Sequence, residues 1–346
     1  MNQNKQYTDF LHIGERLLKW YKSHARDLPF RKTKDPYKIW ICEIVFQQTR
    51  IQQGLQHYIN FIERFPDVKT LASASSDEVV LHWKGLGYYS RAMNIHKASK
   101  QIMIDFNGEF PSEYDDILKL KGVGQYTASA VSSICFGKDF PAVDGNFYRV
   151  LSRLFRDDYD ISSSKAFQYF SELAKLMLPK GRGGDFNQAM MDLGSEICKP
   201  KNPLCNECPL ADFCLAYATG TVSEYPVKKK KIEVKNLELQ YFYVEYDGQF
   251  LVKRRGVDSI WKNLYDFPEI LPNEYHDRIT HGIEMSHKLT HLKLTISIQS
   301  LILESEQDFW DLAKSGNYQV FNYKDSLDKS FPKPLDNFIE KRFKTS

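Results

Sequence analysis

The nine residues Leu120-Lys121-Gly122-Val123-Gly124-Gln125-Tyr126-Thr127-Ala128 decide how this chain folds. A Gly-x-Gly joint separates the apolar helical segment DDILKL (115–120) from a second helical segment that opens with an aromatic residue. So short a joint lets two helices meet at a tight angle. The second helix then presents unpaired backbone N–H groups at the positive end of its dipole. Such an end suits phosphate, although the same glycines also serve plain helix-connection geometry. The pattern occurs twice, since Lys84-Gly85-Leu86-Gly87 stands 37 positions earlier in the same setting.

Working outward, apolar residues recur every three or four positions from residue 8 to about 218, in segments such as DFLHIGERLLKWY (9–21) and NFYRVLSRLF (146–155). That period is helical. The texture changes at TGTVSEYPVKKKKIEVK (219–235), which carries a proline and four consecutive lysines and reads as a linker over 219–236. Beyond it, LELQYFYVEYDGQFLVKRRG (237–256) sets two aromatic and β-branched runs around Asp247-Gly248, a hairpin signal, and HLKLTISIQSLILE (291–304) alternates with period two. The expected organisation is a helical region over 1–218 and a β-containing domain over 237–346.

The chain has 346 residues, enough for two or three domains at roughly 100–200 residues each. With 42% hydrophobic and 26% charged residues, 18 Gly and 14 Pro, a disordered or collagen-like chain is excluded. No apolar run approaches the roughly 20 residues that cross a bilayer, and MNQNKQYTDF (1–10) lacks the apolar core of a signal peptide. The expected setting is the cytoplasm, without a membrane partner. A net charge of +3 does not by itself imply nucleic acid. Residues 1–218 hold 28 Lys and Arg against 25 Asp and Glu, while 219–346 hold 19 of each, so the excess lies in the helical region.

Two carboxylates stand out. Glu43 sits in KIWICEIVFQQTR (38–50) among Ile41, Cys42, Ile44, Val45 and Phe46. Held among those side chains it would be desolvated and its pKa raised, which suits a general acid. The alternative is one solvated stripe on a helix. The polar run Gln47, Gln48, Thr49, Arg50, Gln52 and Gln53 that follows suits base edges better than a core. Asp144 in FPAVDGNFYRVL (140–151) precedes a clear helix and reads either as its N-cap or as the ionised partner that glycosidic cleavage requires.

Of six cysteines, Cys42 and Cys135 lie in apolar stretches and read as small buried hydrophobes. Cys198, Cys205, Cys208 and Cys214 form C-x6-C-x2-C-x5-C within CKPKNPLCNECPLADFC (198–214). Spacing alone leaves structural zinc, an iron-sulfur cluster and free thiols open.

Together LKGVGQYTA, the aspartate of FPAVDGNFYRVL and the cysteine quartet resemble the helix-hairpin-helix DNA glycosylases of the endonuclease III class. DPYKIWICEIVFQQTRI (35–51), KGLGYYSRAMNIHKA (84–98), FNQAMMDLGSEIC (186–198) and WKNLYDFP (261–268) narrow the resemblance to the adenine DNA glycosylases and cover nearly the whole chain. The resemblance implies a mainly α N-terminal catalytic region with a [4Fe-4S] cluster loop, plus an α+β, Nudix-like C-terminal domain that reads 8-oxoguanine. It implies base excision repair by a monomer acting on double-stranded DNA, hydrolysing the N-glycosidic bond of adenine mispaired with 8-oxoguanine or guanine.

Residue by residue, Glu43 matches the family's catalytic acid and Asp144 the carboxylate that stabilises the oxocarbenium centre, with Asn146 supporting it. Tyr126 stands where bifunctional relatives carry a lysine that forms a Schiff base, which implies a monofunctional enzyme. Gln48 and Tyr88 match residues inserted beside the estranged 8-oxoguanine, as base flipping requires. Arg31 and Gln188 match adenine-pocket positions, and Gly122, Val123 and Gly124 match the hairpin that grips phosphate. Cys198, Cys205, Cys208 and Cys214 match the cluster ligands. Three departures stand out: Leu289 precedes Thr290 and His291 where the family's recognition loop begins with phenylalanine, Phe30 replaces a common tryptophan, and Tyr148 stands where some members carry lysine. No Glu-rich Nudix helix is visible between residues 255 and 300, which implies binding without hydrolysis. DNA binding is expected to use Arg31, Arg50, Lys84, Arg91, Lys121 and the lysines at 228–231, together with helix N-termini.

Overall fold

The computed structural model describes residues 3–229, 233–256 and 260–344. They form two compact units, Met1–Ser73 with Asn94–Lys231 and Ala74–Met93 with Ile232–Ser346. In chain order the helices of the N-terminal part are α1 (Gln3–His24), α2 (Pro36–Val45), α3 (Ile51–Arg64), α4 (Val68–Ser73), α5 (Ser76–His82), α6 (Ser90–Asp105), α7 (Tyr114–Lys119), α8 (Gln125–Phe136), α9 (Gly145–Phe155), α10 (Ala166–Met177), α11 (Gly183–Asp192) and the short α12 (Leu215–Ala218).

Helix α2 forms because Asp35 caps it, accepting hydrogen bonds from the Tyr37 and Lys38 amides at 2.9 and 3.4 Å, and Pro36 pre-sets its first turn. Tyr37, Ile39, Trp40, Ile41, Cys42, Ile44 and Val45 are all buried, so α2 is apolar almost all round and packs on α3 and α8. Between α7 and α8, Gly122 adopts φ 79°, and a Cβ there would come 2.5 Å from the Asn94 Cβ. Only glycine fits. Helices α1, α9, α10 and α11 enclose a core built on Leu17, Phe147, Leu151, Phe170, Phe186 and Met190. Each such side chain contributes roughly 1.5–3 kcal/mol on burial.

The second unit carries a sheet whose described strands are β1 (Lys235–Tyr246), β2 (Gln249–Arg254), β3 (Tyr265–Asp266), β4 (His281–Lys288), β5 (Leu292–Ile302) and β6 (Gln319–Asn322). Their order is β3-β2-β1-β5-β4, with β6 on β2. Asp247 and Gly248, at φ 46° and 71°, make the expected β1–β2 hairpin, in which Tyr246 pairs with Gln249. β1 and β5 run parallel, from Lys235 opposite Leu292 to Glu245 opposite Ile302. Helices α13 (Glu306–Ser315), α14 (Tyr323–Leu327) and α15 (Lys333–Lys344) complete the unit. Phe309 and Leu312 of α13 join one apolar layer, and Leu335 and Ile339 of α15 join another, as in a mixed α+β, Nudix-like module. Between residues 255 and 300 the described chain makes β3, a 3₁₀ segment Asn273–Arg278 and strands β4 and β5.

Two expectations about boundaries change. Residues 74–93, expected within an unbroken 1–218 region, group instead with the C-terminal unit. Asp77 pairs with Arg254 at 2.6 Å and Lys84 with Asp336 at 2.7 Å. Partners so distant in sequence leave no local signal. The expected linker 219–236 is also shorter. Arg153 Nε donates to the Val222 and Tyr225 carbonyls, Ile161 N–H to Val227 O at 3.0 Å and Lys229 N–H to Asp160 at 3.1 Å, so its first half lies on the helical unit. Lys230 and Lys231 of the lysine run lie outside the described residues.

Candidate active site

Glu43, on the third turn of α2, opens into a cavity of about 90 Å³ whose walls include Phe30, Ile39, Phe46, Ile51, Ile134 and Met191. No solvated stripe exists on α2 for it to occupy. Burial against these walls raises its pKa above the ordinary carboxylate range, and Asp144 adds to the rise. The Tyr126 hydroxyl at the start of α8, which donates to Glu43 Oε2 at 2.5 Å, and the Arg31 guanidinium oppose it. Tyr126 is held well above its usual phenol range by burial and by the two carboxylates, so it remains a donor. Phe30 is buried, with its ring 5.1 Å from Phe46 and 5.8 Å from Tyr58.

Asp144 takes the N-cap role. One carboxylate oxygen caps α9, accepting from the Asn146 and Phe147 amides at 2.9 and 3.0 Å, while the other accepts from Asn146 Nδ2 at 2.7 Å. Burial raises its pKa, and those same hydrogen bonds, which favour the anion, pull it back. Asn146 in turn accepts from Arg149 Nη2 at 2.7 Å. Arg149 also donates to the carbonyls of Gly194 and Cys198, each at 2.7 Å, so the aspartate is braced from the head of the cysteine loop. A Cβ at Gly194 would fall 2.5 Å from the Asn146 Cβ, so this bracing requires glycine there.

Arg31 and Gln188 line the same cavity. Arg31 donates to Tyr21 and to Gln188 Oε1 at 2.5 and 3.2 Å, and Tyr21 donates to Gln188 Oε1 at 2.7 Å. Beneath them Asp192, fully buried, accepts from Arg31 and Arg26. The sequence reading missed Tyr21, Arg26, Arg149, Arg153 and Asp192. For Asp192 the one available hint was a charged residue in FNQAMMDLG, and it pointed to no partner.

Gln48 and Tyr88 share a rare backbone state, with φ 58° and 47°. Left-handed conformations at non-glycine residues store strain and concentrate at functional positions. Tyr88 is 49% exposed, and within the C-terminal unit its hydroxyl lies 2.6 Å from Thr290 Oγ1. Thr290 and His291 are exposed, whereas Leu289 packs on the β-sheet core. Tyr148 packs edge-on against Phe170. Gly124 and Gln125 open α8, with Val123 buried beneath the hairpin.

The expected phosphate contacts divide. Arg50, Lys121, Lys228 and Lys229 are exposed. Arg31, only 11% exposed, is instead committed to Asp192, and Lys84 to Asp336. Arg91 is buried, donates to the Leu86 and Gly87 carbonyls and lies against the Trp83 and Tyr88 rings, with its pKa lowered by burial to about 10. All three have partners within the protein.

Cys198, Cys205, Cys208 and Cys214 line one cavity of about 30 Å³ with Ile197, Val222 and Arg153. Arg153 Nη1 lies 3.4 Å from Cys198 Sγ. Burial pushes the Cys208 thiol up to about 12 and raises Cys205 and Cys214, and the charges of neighbouring cysteines add to the rise. Gathering four thiolates here therefore needs a strongly cationic centre. Among the described residues no three His, Cys, Asp or Glu side chains converge as ligands of a single ion. Four thiols around a cavity suit a cluster better than one zinc.

Comparison with known proteins agrees. The model of the HhH-GPD superfamily base excision DNA repair proteins matches residues 41–176, and that of the iron-sulfur binding domain of endonuclease III matches 198–214, which assigns a [4Fe-4S] cluster to the quartet. An adenine DNA glycosylase of Buchnera aphidicola subsp. Schizaphis graminum is 34% identical over 95% of this chain and 98% of its own. The human adenine DNA glycosylase is 29% identical over 84% of this chain and 67% of its own. A solved thermostable thymine-DNA glycosylase, 30% identical, superposes with a TM-score of 0.57 over 63% of this chain and 99% of its own. A non-covalent endonuclease III–DNA complex, 23% identical with a TM-score of 0.54 over 62% and 97%, shares the fold.

Proposed function

Because the chain belongs to the adenine DNA glycosylase family, we propose that it excises adenine mispaired with 8-oxoguanine or guanine in double-stranded DNA. The observation that carries this reading is the desolvated Glu43, hydrogen-bonded by Tyr126, in one pocket with Arg31 and Gln188. Flipped into the cavity, adenine meets Arg31 and Gln188 on its polar edge. Glu43, whose carboxyl burial holds above the ordinary range, gives its proton to N7 as the glycosidic bond breaks. Asp144, whose anionic form three hydrogen bonds favour, stabilises the oxocarbenium centre, and water completes hydrolysis. Tyr126 offers no amine, so no Schiff base forms and strand cleavage is weak or absent. The iron-sulfur cluster supplies structural order to the loop 198–214.

Gln48 and Tyr88 fill the space that the flipped base leaves, and the exposed Thr290 and His291 contact the 8-oxoguanine side. The C-terminal domain binds without hydrolysing. The protein works as a monomer in the compartment that holds the DNA, the cytoplasm, which sedimentation of the pure protein tests. Duplexes carrying adenine opposite 8-oxoguanine, adenine opposite guanine and thymine glycol opposite adenine test the substrate. Base release is expected from the first two without strand scission. Release from thymine glycol alone, with strand scission, would overturn the proposal.

A further inference from the structure

Asp192, the last residue of α11, has its side chain fully buried 149 positions after Glu43 in sequence, and nothing in the reaction described above uses it. Its Oδ1 accepts from Arg26 Nε at 2.7 Å and from Arg31 Nη2 at 2.9 Å, and Oδ2 accepts from the Arg26 amide at 3.2 Å. The chain beyond it turns at once into a π-helical turn, Leu193–Ile197, a distortion frequent at functional sites. One carboxylate thus anchors two guanidiniums that both line the base pocket.

We propose that Asp192 is the positioning residue of the base pocket: it fixes Arg31 and Arg26 at the wall and cancels the positive charge that they would otherwise project onto Glu43. The inference rests on Glu43 acting as the acid. A neutral base needs polar donors in its pocket, but an uncompensated cation within a few ångströms of the acid holds a carboxyl in its anionic form. An anion has no proton to give. Pairing the arginines with a buried carboxylate keeps the donors and removes most of the field. Arg31 is shared in this way: Nη1 donates to Tyr21, to Gln188 and, at 3.4 Å, to Asp192 Oδ2, while Nη2 donates to Asp192 Oδ1.

The other groups acting on Glu43 are Tyr126, which donates to it, Asp144 at the head of α9, and the thiols Cys42 and Cys135, both raised by burial. Around Asp192 the further groups are Tyr21, coupled to Asp185, and Glu196, 3.8 Å from Arg26 at the exposed edge. None of them supplies the buried compensation that Asp192 supplies.

Single-turnover release of adenine from an 8-oxoguanine:adenine duplex, measured across pH, tests this. In the wild type the rate falls on the alkaline side as Glu43 loses its proton. Asp192→Asn is expected to move that limb toward acid by about one pH unit, a loss of about tenfold above it and near recovery below it. Asp192→Glu restores the limb. Arg26→Gln removes a positive charge and is expected to move the limb the other way. Opposite displacements by Asp192→Asn and Arg26→Gln support the proposal. A limb unmoved in both, with lowered melting temperatures alone, overturns it and reduces Asp192 to a structural ion pair. Should Asp192→Asn fail to fold, the alkaline displacement in Arg26→Gln decides. A wild type that releases no adenine refutes the enzymatic reading instead, so the two failures are distinguishable.

Discussion

At the scale of single residues, the site works by setting one carboxyl against its surroundings. Glu43 is desolvated by the pocket and drawn back toward the anion by the Tyr126 hydrogen bond and the Arg31 charge. Because its pKa is raised, the protonated, active form persists to higher pH than an ordinary carboxyl allows, and base release falls as pH rises through that pKa. Tyr126→Phe removes a hydrogen bond that favours the anion, so its alkaline limb is expected to move to higher pH while the rate falls by about tenfold from lost orientation. A pH–rate profile of the variant checks both, and a limb displaced toward acid would contradict the assignment. Glu43 and Asp144 stood out in sequence, Glu43 by its apolar neighbours and Asp144 by its place at the head of a helix, and the family resemblance gave them their roles. Asp192 did not, since its meaning lies in Arg26 and Arg31, more than 160 positions away.

At the scale of elements, the hairpin between α7 and α8 depends on Gly122, whose left-handed backbone and closeness to Asn94 both reject a side chain. Gly122→Ala is expected to lower stability by about 1–3 kcal/mol. It should also weaken binding to any duplex, damaged or not, because phosphate contacts carry no sequence information. Thermal melting and titration of an undamaged duplex measure the two effects. Elements of this kind were readable: the Gly-x-Gly joint and the Asp247-Gly248 hairpin each rest on neighbours in sequence. The parallel pairing of β1 with β5 was not readable. A period of two fixes which face of a strand is apolar but names no partner, and here the partner lies 57 residues on.

At the scale of the whole chain, each unit carries its own core, and chain order does not fix their membership, as residues 74–93 show. Contacts between residues distant in sequence, the Lys84–Asp336 ion pair among them, go with it, and no periodicity records them. The cysteine loop, by contrast, was legible from spacing as a metal site, and the matched iron-sulfur domain settled which metal. The purified protein is expected to be yellow-brown with broad absorbance near ~400 nm. Because Arg149 ties the Cys198 carbonyl to Asn146, removal of iron is expected to lower both the melting temperature and the rate of base release. A colourless, zinc-containing preparation contradicts the cluster. The most direct test of the whole account is single-turnover release of adenine from an 8-oxoguanine:adenine duplex by wild type and by Glu43→Gln, with affinity for the duplex measured alongside. Loss of about 10³-fold in rate with binding largely kept is the predicted result, whereas a variant that releases adenine at the wild-type rate would contradict it.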